Sequence, residues 1–154
     1  MPWWSTPDGT VREAGPLGAA RFKHALTTLD SGRALVIGGT PDDRRLLTST
    51  EVFDPRSLTF RPGPSLVEGR YKLTGSALAL SGDRVVVAGG GEGVEVVDVD
   101  AARSRTVPGL GTGRASFSTV GVTGGRLWVL GGYDEQIRLV GGVRSTPLTT
   151  LSGR

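Results

Sequence analysis

The stretch that decides the fold is RLWVLGG, residues 126–132, an apolar run that stops at two glycines. Two earlier stretches have the same form: RALVIGG at residues 33–39 and RVVVAGG at residues 84–90. Every position between the arginine and the glycines is apolar, so both faces of the predicted strand must be buried. The sequence therefore predicts short strands in a sheet that is packed between two other sheets.

The paired glycines at the ends of these runs are predicted to be structural. Glycine lets the backbone turn with positive φ, or approach a neighbour where any Cβ would clash. A flexible loop is also rich in glycine, but three copies in register favour the structural interpretation. The glycines concerned are Gly38, Gly39, Gly89, Gly90, Gly131 and Gly132.

Each run lies inside a longer repeat that opens with an arginine, at Arg21, Arg70 and Arg114. The openings are 49 and 44 residues apart, and a period of about 20–50 residues is typical of solenoids and propellers. A second phrase follows the glycines: TEVFDPRSLTF from residue 50 and VEVVDVDAARS from residue 94, with a weaker echo, QIRLVGGVRS, from residue 136.

Each unit is predicted to hold four short strands and no helix, which makes the fold class all-β. The segments are alternating or wholly apolar and are bounded by Gly, Pro, Asp or Ser clusters, as short strands are. In the first copy the predicted strands are residues 24–29, 34–37, 49–53 and 58–61.

Composition and charge exclude several classes of function. The chain has 154 residues with a net charge of only +3, and its arginines are scattered close to acids, so it lacks the basic stripe that binds nucleic acid. The absence of cysteine excludes disulfides, zinc–thiolate sites and thiol nucleophiles. No signal-peptide pattern occurs, and no run of about 18 apolar residues predicts a membrane span. The compartment is left open.

The repeats resemble the bacterial, galactose-oxidase-like Kelch repeats. They share a Leu-x-x-x-Arg lead-in, which starts at Leu17, Leu66 and Leu110, then an apolar strand into Gly-Gly, then Glu-Val-aromatic-Asp-Pro from Glu51. The resemblance implies a β-propeller, in which blades of four antiparallel strands surround a central channel. It covers nearly the whole chain and implies about three blades with an N-terminal hairpin.

The repeats set the predicted domain boundaries. Residues 1–20 are expected to be a hairpin, the last two strands of a preceding or shared blade, with Trp3 and Trp4 on one strand and Val11 on the other. Gly153 and Arg154 match the start of a further repeat. The three blades are expected at residues 21–69, 70–113 and 114–154.

Three blades and a hairpin do not close a ring, because closed propellers typically have 4 to 8 blades. The chain is then a fragment of a longer propeller, a half ring that closes six blades as a homodimer, or an open stack. The fragment is the favoured interpretation because it requires no interface that evolved for closure.

A repeated ion pair is predicted within the blades. The opening arginines are equivalent by spacing, and so are two glutamates on the third strand, so a buried Arg–Glu pair is favoured over ligand contact. Gln136 stands where a third glutamate is expected, which would weaken the pair in the last copy. The residues concerned are Arg21, Arg70, Arg114, Glu51 and Glu95.

No catalytic constellation is recognisable in the sequence. His24 is the single histidine, and a packed, hydrogen-bonded ring is favoured over catalysis or metal binding. Galactose-oxidase-like enzymes hold copper with tyrosines and histidines, one tyrosine being cross-linked to a cysteine, and this chain has no cysteine. The doublets Asp42-Asp43 and Arg44-Arg45 are expected to form a solvated charge cluster. We therefore predict no catalysis, no metal and no cofactor.

Function is predicted to lie in the loops. In the resembled family the connections after Gly-Gly and those before the first strands share one face, and binding residues concentrate on loops of rigid scaffolds. Aromatic and charged contacts there would suit a protein, peptide or glycan partner. The candidates are Lys23, Asp42, Arg44, Arg45, Tyr71, Lys72, Glu92, Phe117, Tyr133, Asp134 and Glu135.

The sequence thus predicts a non-catalytic binding scaffold. The alternative is a fragment of a larger galactose-oxidase-like or carbohydrate-active propeller enzyme, with catalytic residues outside this chain. A fold analogy does not name the ligand.

Overall fold

The computed structural model describes residues 9–111 and 113–152, and that part of the chain is all-β. Three antiparallel sheets follow one another along the sequence. The first contains β1 (Ala25–Thr28), β2 (Ala34–Ile37), β3 (Thr50–Asp54) and β4 (Thr59–Pro62). The second contains β5 (Ala77–Leu80), β6 (Arg84–Val87), β7 (Gly93–Asp98) and β8 (Arg103–Gly111). The third contains β9 (Thr119–Thr123), β10 (Arg126–Leu130) and β11 (Val143–Pro147), followed by a four-residue helix, α1 (Leu148–Leu151).

The strands of the first two sheets pair in sequence order, each with the next. In the first sheet β2 lies where the apolar run predicts it, and β1, β3 and β4 differ from their predicted bounds by one residue at each end. The third sheet has the order β11-β10-β9. Helix α1 is far too short to cross a bilayer, and the described residues contain no helix that could.

The third repeat departs from the sequence prediction. Its third strand, β11, begins at Val143, whereas the weaker echo starts at Gln136. The reason is local, because the carboxylate of Asp134 accepts the backbone N–H groups of Gln136 (3.0 Å) and Arg138 (2.9 Å) and so stabilises a turn there.

The middle sheet is buried on both faces, as the sequence predicts. One apolar layer joins it to the first sheet, where Val85 and Val87 pack with Leu35 and Ile37. A second layer joins it to the third sheet, where Val86 packs with residues such as Leu127 and Val129. Since Val85, Val86 and Val87 have no exposed surface and burying one valine stabilises by about 1.5–3 kcal/mol, consecutive apolar positions require sheets on both sides.

The paired glycines end the second strands where two other backbone segments approach, one from the next repeat and one from the turn that leads into the same sheet. A Cβ on Gly38 would lie 2.6 Å from the carbonyl oxygen of Arg70, and one on Gly39 would lie 2.8 Å from that of Phe22. Both have positive φ, +59° and +90°. The N–H of Gly39 donates to the carbonyl oxygen of Arg70 at 2.7 Å, which joins the two sheets. At this junction the two glycines therefore permit a backbone approach that a Cβ would prevent.

A polar link joins the first two sheets at the opposite ends of their second strands. Asp83, in the turn between β5 and β6, is buried and accepts from the guanidinium of Arg33 (2.5 Å) and the backbone N–H of Ser31 (2.9 Å), both in the turn between β1 and β2. Hydrogen bonds therefore join the two sheets at both ends of these strands, and the apolar layer lies between them.

The hairpin predicted for residues 1–20 is wrong in its described part. Val11 lies outside any strand and is 88% exposed. The segment attaches instead through Gly15, whose N–H donates to the carbonyl oxygen of Leu58 at 2.8 Å. Trp3 and Trp4 lie outside the described residues, as do Gly153 and Arg154.

Candidate functional site

The first Arg–Glu pair ties the segment that leads into β1 to the first sheet. Arg21 Nη2 donates to Glu51 Oε1 at 2.7 Å, and both side chains are buried. Glu51 also accepts the backbone N–H groups of Gly18 (2.7 Å) and Ala19 (3.2 Å). Burial alone would raise the pKa of Glu51, but these hydrogen bonds and Arg21 outweigh it and lower the pKa. We call this arrangement the Arg–Glu lock.

The second lock is more deeply buried. Arg70 Nε donates to Glu95 Oε1 at 2.9 Å, and neither side chain has exposed surface. Arg70 also donates to the carbonyl oxygens of Gly89 (2.9 Å) and Gly93 and to Glu68 Oε1 (2.8 Å). Every arm of the guanidinium is used inside the protein, and the first two opening arginines each form a buried ion pair with a glutamate of the third strand.

Among its described residues the third repeat has no Arg–Glu lock, and Arg114 is not equivalent to Arg21 and Arg70. The N–H of Gly39 donates to the carbonyl oxygen of Arg70, whereas the N–H of Gly90 donates to that of Ala115. One additional residue therefore places Ala115, which is buried, where the earlier repeats have arginine. The Arg114 side chain is 46% exposed and pairs with Glu92 at 3.1 Å.

The glutamate position is also changed in the third sheet. Glu95 lies opposite Val87 in the second sheet, and the equivalent place opposite Val129 is held by Arg144. Arg144 is exposed and donates to the carbonyl oxygen of Gly111 at 2.6 Å. The predicted weakening at Gln136 is thus replaced by loss of the pair, and Gln136 is in a loop.

The turns that lead into β1, β5 and β9 bring one residue of each repeat to the same face. Lys23, Lys72 and Phe117 all have positive φ, 57°, 56° and 56°, a conformation that few non-glycine residues adopt. The N–H of Leu73 donates to the carbonyl oxygen of Lys23 (3.3 Å), and that of Phe117 to the carbonyl oxygen of Lys72 (3.0 Å). Backbone hydrogen bonds between repeats therefore hold these side chains beside one another.

Aromatic rings and ammonium groups alternate along this face. Lys23 Nζ lies 5.2 Å from the ring centroid of Phe22 and 5.9 Å from that of Tyr71, and Lys72 Nζ lies 5.0 Å from Tyr71 and 5.1 Å from Tyr133. These are cation–π distances. The Tyr133 ring contacts Phe117 with centroids 5.6 Å apart. We call this set the aromatic–lysine row: Phe22, Lys23, Tyr71, Lys72, Tyr133 and Phe117.

A cavity of about 280 Å³ opens beside the row. Tyr71, Lys72 and Tyr133 line it together with charged loop residues of both signs. Burial lowers the pKa of Lys72, but its interactions with Tyr133 and Tyr71 outweigh burial and raise it, so the ammonium stays charged. The charged loop residues that line it are Asp43, Arg44, Arg114, Asp134 and Glu135.

Some of these charges are already paired. Asp43 accepts from Lys23 Nζ at 2.5 Å, and Asp134 accepts from Arg138 Nε at 2.8 Å. The backbone N–H of Arg138 is the main cause that lowers the pKa of Asp134. Arg44 is exposed, and no described residue pairs with its guanidinium. Arg44 and Lys72 are therefore cations without a carboxylate partner among the described residues.

The structure brings most of the predicted binding residues together but separates three of them. Asp42 accepts the backbone N–H groups of Arg44 (3.0 Å) and Arg45 (2.8 Å), which lowers its pKa and shapes the loop. Arg45 does not line the cavity. Glu92 lines a neighbouring open cavity of about 490 Å³.

Three residues that line the site were not singled out by sequence reasoning. Leu46, Ser116 and Ile137 carry no local signal, since only the packing of loops from different repeats brings them there. Asp43 was predicted as part of a solvated charge cluster, and it lines the cavity as well.

A second, apolar groove of about 370 Å³ lies on the outer face of the first sheet. His24 lines it with Leu26, Val36, Phe53 and Phe60, among others. Its Nδ1 is buried without a hydrogen-bond partner among the described residues, so the predicted hydrogen-bonded ring is wrong at this atom. Burial first, and Arg21 second, lower the pKa of His24.

No protein-family model matches the chain, and no curated protein matches it. In residues 9–111 and 113–152, no cluster of three or more His, Cys, Asp or Glu side chains is placed to hold a metal ion.

Proposed function

We propose that this chain is a Kelch-type propeller segment that acts as a non-catalytic binding scaffold, with the cavity beside the aromatic–lysine row as its ligand site. The sheet arrangement supports the propeller, since the first strands of successive sheets, β1, β5 and β9, are neighbours in space. Such an order places the leading turns around a common centre, as in a propeller.

The observation that carries the binding role is the row itself. In three repeats one residue of the turn that leads into the first strand has positive φ: Lys23, Lys72 and Phe117. Backbone strain of this kind clusters at sites that bind ligands. Tyr71, Lys72 and Tyr133 of the row line a concave surface, where rigid aromatic side chains act as anchors of interfaces.

The ligand that fits the cavity best is a peptide segment of a partner protein. Tyr71 and Tyr133 offer flat apolar surface, while Lys72 and Arg44 offer donors for a carboxylate. Glu135 is exposed at the rim and adds an acceptor for a basic group. A neutral glycan would use the rings but would leave these charges without partners, and charge complementarity is what gives interfaces their specificity.

A peptide-display selection on the folded protein tests this proposal. We expect enriched peptides that carry an acidic residue next to an apolar or aromatic one. Their affinity, measured by fluorescence polarisation, should fall tenfold or more, about 1.4 kcal/mol, for Tyr71→Ala and for Lys72→Met.

The matched control is Arg56→Ala, an exposed arginine in the turn between β3 and β4 and outside the cavity. It should leave affinity unchanged, and circular dichroism should show that all three variants are folded. Enriched peptides that bind the Tyr71 and Lys72 variants as well as the wild type would refute the site. Binding to a glycan array in place of peptides would refute the ligand class.

A further inference from the structure

The outer face of the first sheet has the residue pattern of a buried face. In the second sheet Val87 lies opposite Glu95 and packs against the first sheet, and the equivalent residue of the first sheet is Val36, opposite Glu51. Val36 points to the side away from the second sheet and lines the apolar groove, which Ala14 and Leu17 also line. Val36 itself is buried, but Leu26 beside it is 51% exposed. The first sheet therefore carries a face made for a preceding sheet.

The outer face of the third sheet has the complementary pattern. Val129 packs toward the second sheet, so its strand neighbours Trp128 and Leu130 face outward. They hold the positions that Val86 and Ala88 hold in the second sheet, where both are buried against the third sheet. Leu130 is 41% exposed, and Val143, beside it in the sheet, is 58% exposed. The third sheet therefore carries a face made for a following sheet.

Hydrogen-bond groups at these two faces are complementary as well. At each internal junction the second glycine of one sheet donates its N–H to the leading turn of the next: Gly39 to Arg70 (2.7 Å) and Gly90 to Ala115 (2.9 Å). In the described part of the chain, the equivalent donor of the third sheet, the N–H of Gly132, has no acceptor, and the equivalent acceptor of the first sheet, the carbonyl oxygen of Arg21, has no donor.

The third sheet also leaves room for a following carbonyl group. A Cβ on Gly38 or Gly89 would lie 2.6 or 2.8 Å from a carbonyl oxygen of the next sheet. At Gly131, the equivalent position, the nearest atom to such a Cβ is the Val140 oxygen, at 3.6 Å. Gly131 therefore leaves space for a carbonyl group of a following sheet, and no described residue fills that space.

We infer that a second copy of this chain occupies both faces, with the third sheet of each copy seated on the first sheet of the other. Head-to-tail contact brings the Gly132 N–H to the Arg21 carbonyl oxygen, whereas contact between two like faces opposes two donors or two acceptors. Two copies give six sheets, within the 4 to 8 of closed propellers, and closure covers every outer face. The closed ring rests on the propeller proposed above, but neither face includes a residue that lines the cavity, so association and ligand binding are tested by different variants.

Light scattering of the purified protein gives the first test. We expect twice the chain mass of 16.0 kDa over a wide concentration range. Leu26→Arg and Leu130→Asp, one on each face, should each give a folded monomer. The control Val67→Arg changes a residue that is 60% exposed in a loop away from both faces, and it should remain dimeric. Circular dichroism verifies that every variant is folded.

Mixing the two monomeric variants tests the head-to-tail geometry. In a mixed dimer one junction is wild type, and the other places the Leu26→Arg substitution of one copy beside the Leu130→Asp substitution of the other. The opposite charges then face each other, so the mixture should regain the dimer mass. Contact between like faces predicts no rescue, and only one of the two variants would then be monomeric.

That result would overturn the inference. A folded wild-type monomer at the highest soluble concentration would overturn it too, and a mass that grows beyond two copies would refute closure.

Discussion

Removal of the Arg70 guanidinium should destabilise the protein far more than removal of any exposed arginine. In Arg70→Met the carboxylate of Glu95, which has no exposed surface, loses its cation, and the carbonyl oxygens of Gly89 and Gly93 lose their donor. Breaking a buried ion pair from one side costs about 3–5 kcal/mol. For a domain of this size that lowers Tm by roughly 6–20 °C.

Urea unfolding followed by circular dichroism measures the loss directly. We expect the midpoint to fall with an unchanged m-value, because the surface exposed on unfolding is nearly the same. Arg114→Met is the matched control, since Arg114 and its partner Glu92 are 46% and 72% exposed. Exposed pairs contribute about 0–1 kcal/mol, so this variant should unfold close to the wild type.

The double variant Arg70→Met/Glu95→Leu separates the charge from the hydrogen bonds. It removes the unpaired carboxylate but leaves the N–H groups of Val67 and Glu68 without their acceptor, so it should regain only part of the loss. If Arg70→Met and Arg114→Met destabilise the protein equally, burial of the second Arg–Glu lock does not stabilise the fold and the reasoning fails.

Two further predictions concern the first sheet. Stability should fall as the pH drops below 4.5, the ordinary pKa of Glu51. The pKa of Glu51 is lower in the folded state, so the carboxylate contributes stability above pH 4.5 and loses that contribution as it protonates. Urea unfolding measured between neutral pH and about pH 3 should show this fall, and Glu51→Gln should reduce it. Gly39→Ala places a Cβ 2.8 Å from a carbonyl oxygen at a φ of +90° and should cost about 2–4 kcal/mol, measured by thermal unfolding, whereas Gly121→Ala, with nothing within 4 Å, should cost less than about 1 kcal/mol. An equal loss for the two glycine variants would contradict the close-approach explanation.

The strands of the first two sheets are predictable because their pattern is local. A run that is apolar at every position, such as residues 85–88 in and after β6 (Arg84–Val87), can be explained only by burial on both faces, and the structure has it between two sheets. The glycine that follows marks where the next sheet approaches. Both signals are written in consecutive residues, so a single sequence carries them.

The third repeat was less predictable because its residue types match those of the other repeats, but its opening arginine is displaced by one residue from the equivalent structural position. Arg114 aligns with the other opening arginines by spacing, yet Ala115 occupies their place in the structure. One additional residue hardly alters the composition or the apolar pattern of the strands, so the sequence gives no sign of the displacement. Similarly, the side chains that meet at the cavity come from loops of different repeats, and Asp43 meets Lys23 only because the chain folds back.

The Arg–Glu lock also bears on how such a chain grows by gene duplication. Each lock joins a third strand to the backbone just ahead of its own sheet, Gly18 and Ala19 in one case and Val67 and Glu68 in the other. A duplicated segment that began at β1 or β5 would lack this connecting backbone, so its glutamate would have no hydrogen-bond donors there. A segment that starts a few codons earlier inserts a copy that carries its own fastening, so the heritable unit is longer at its amino end than the sheet it encodes.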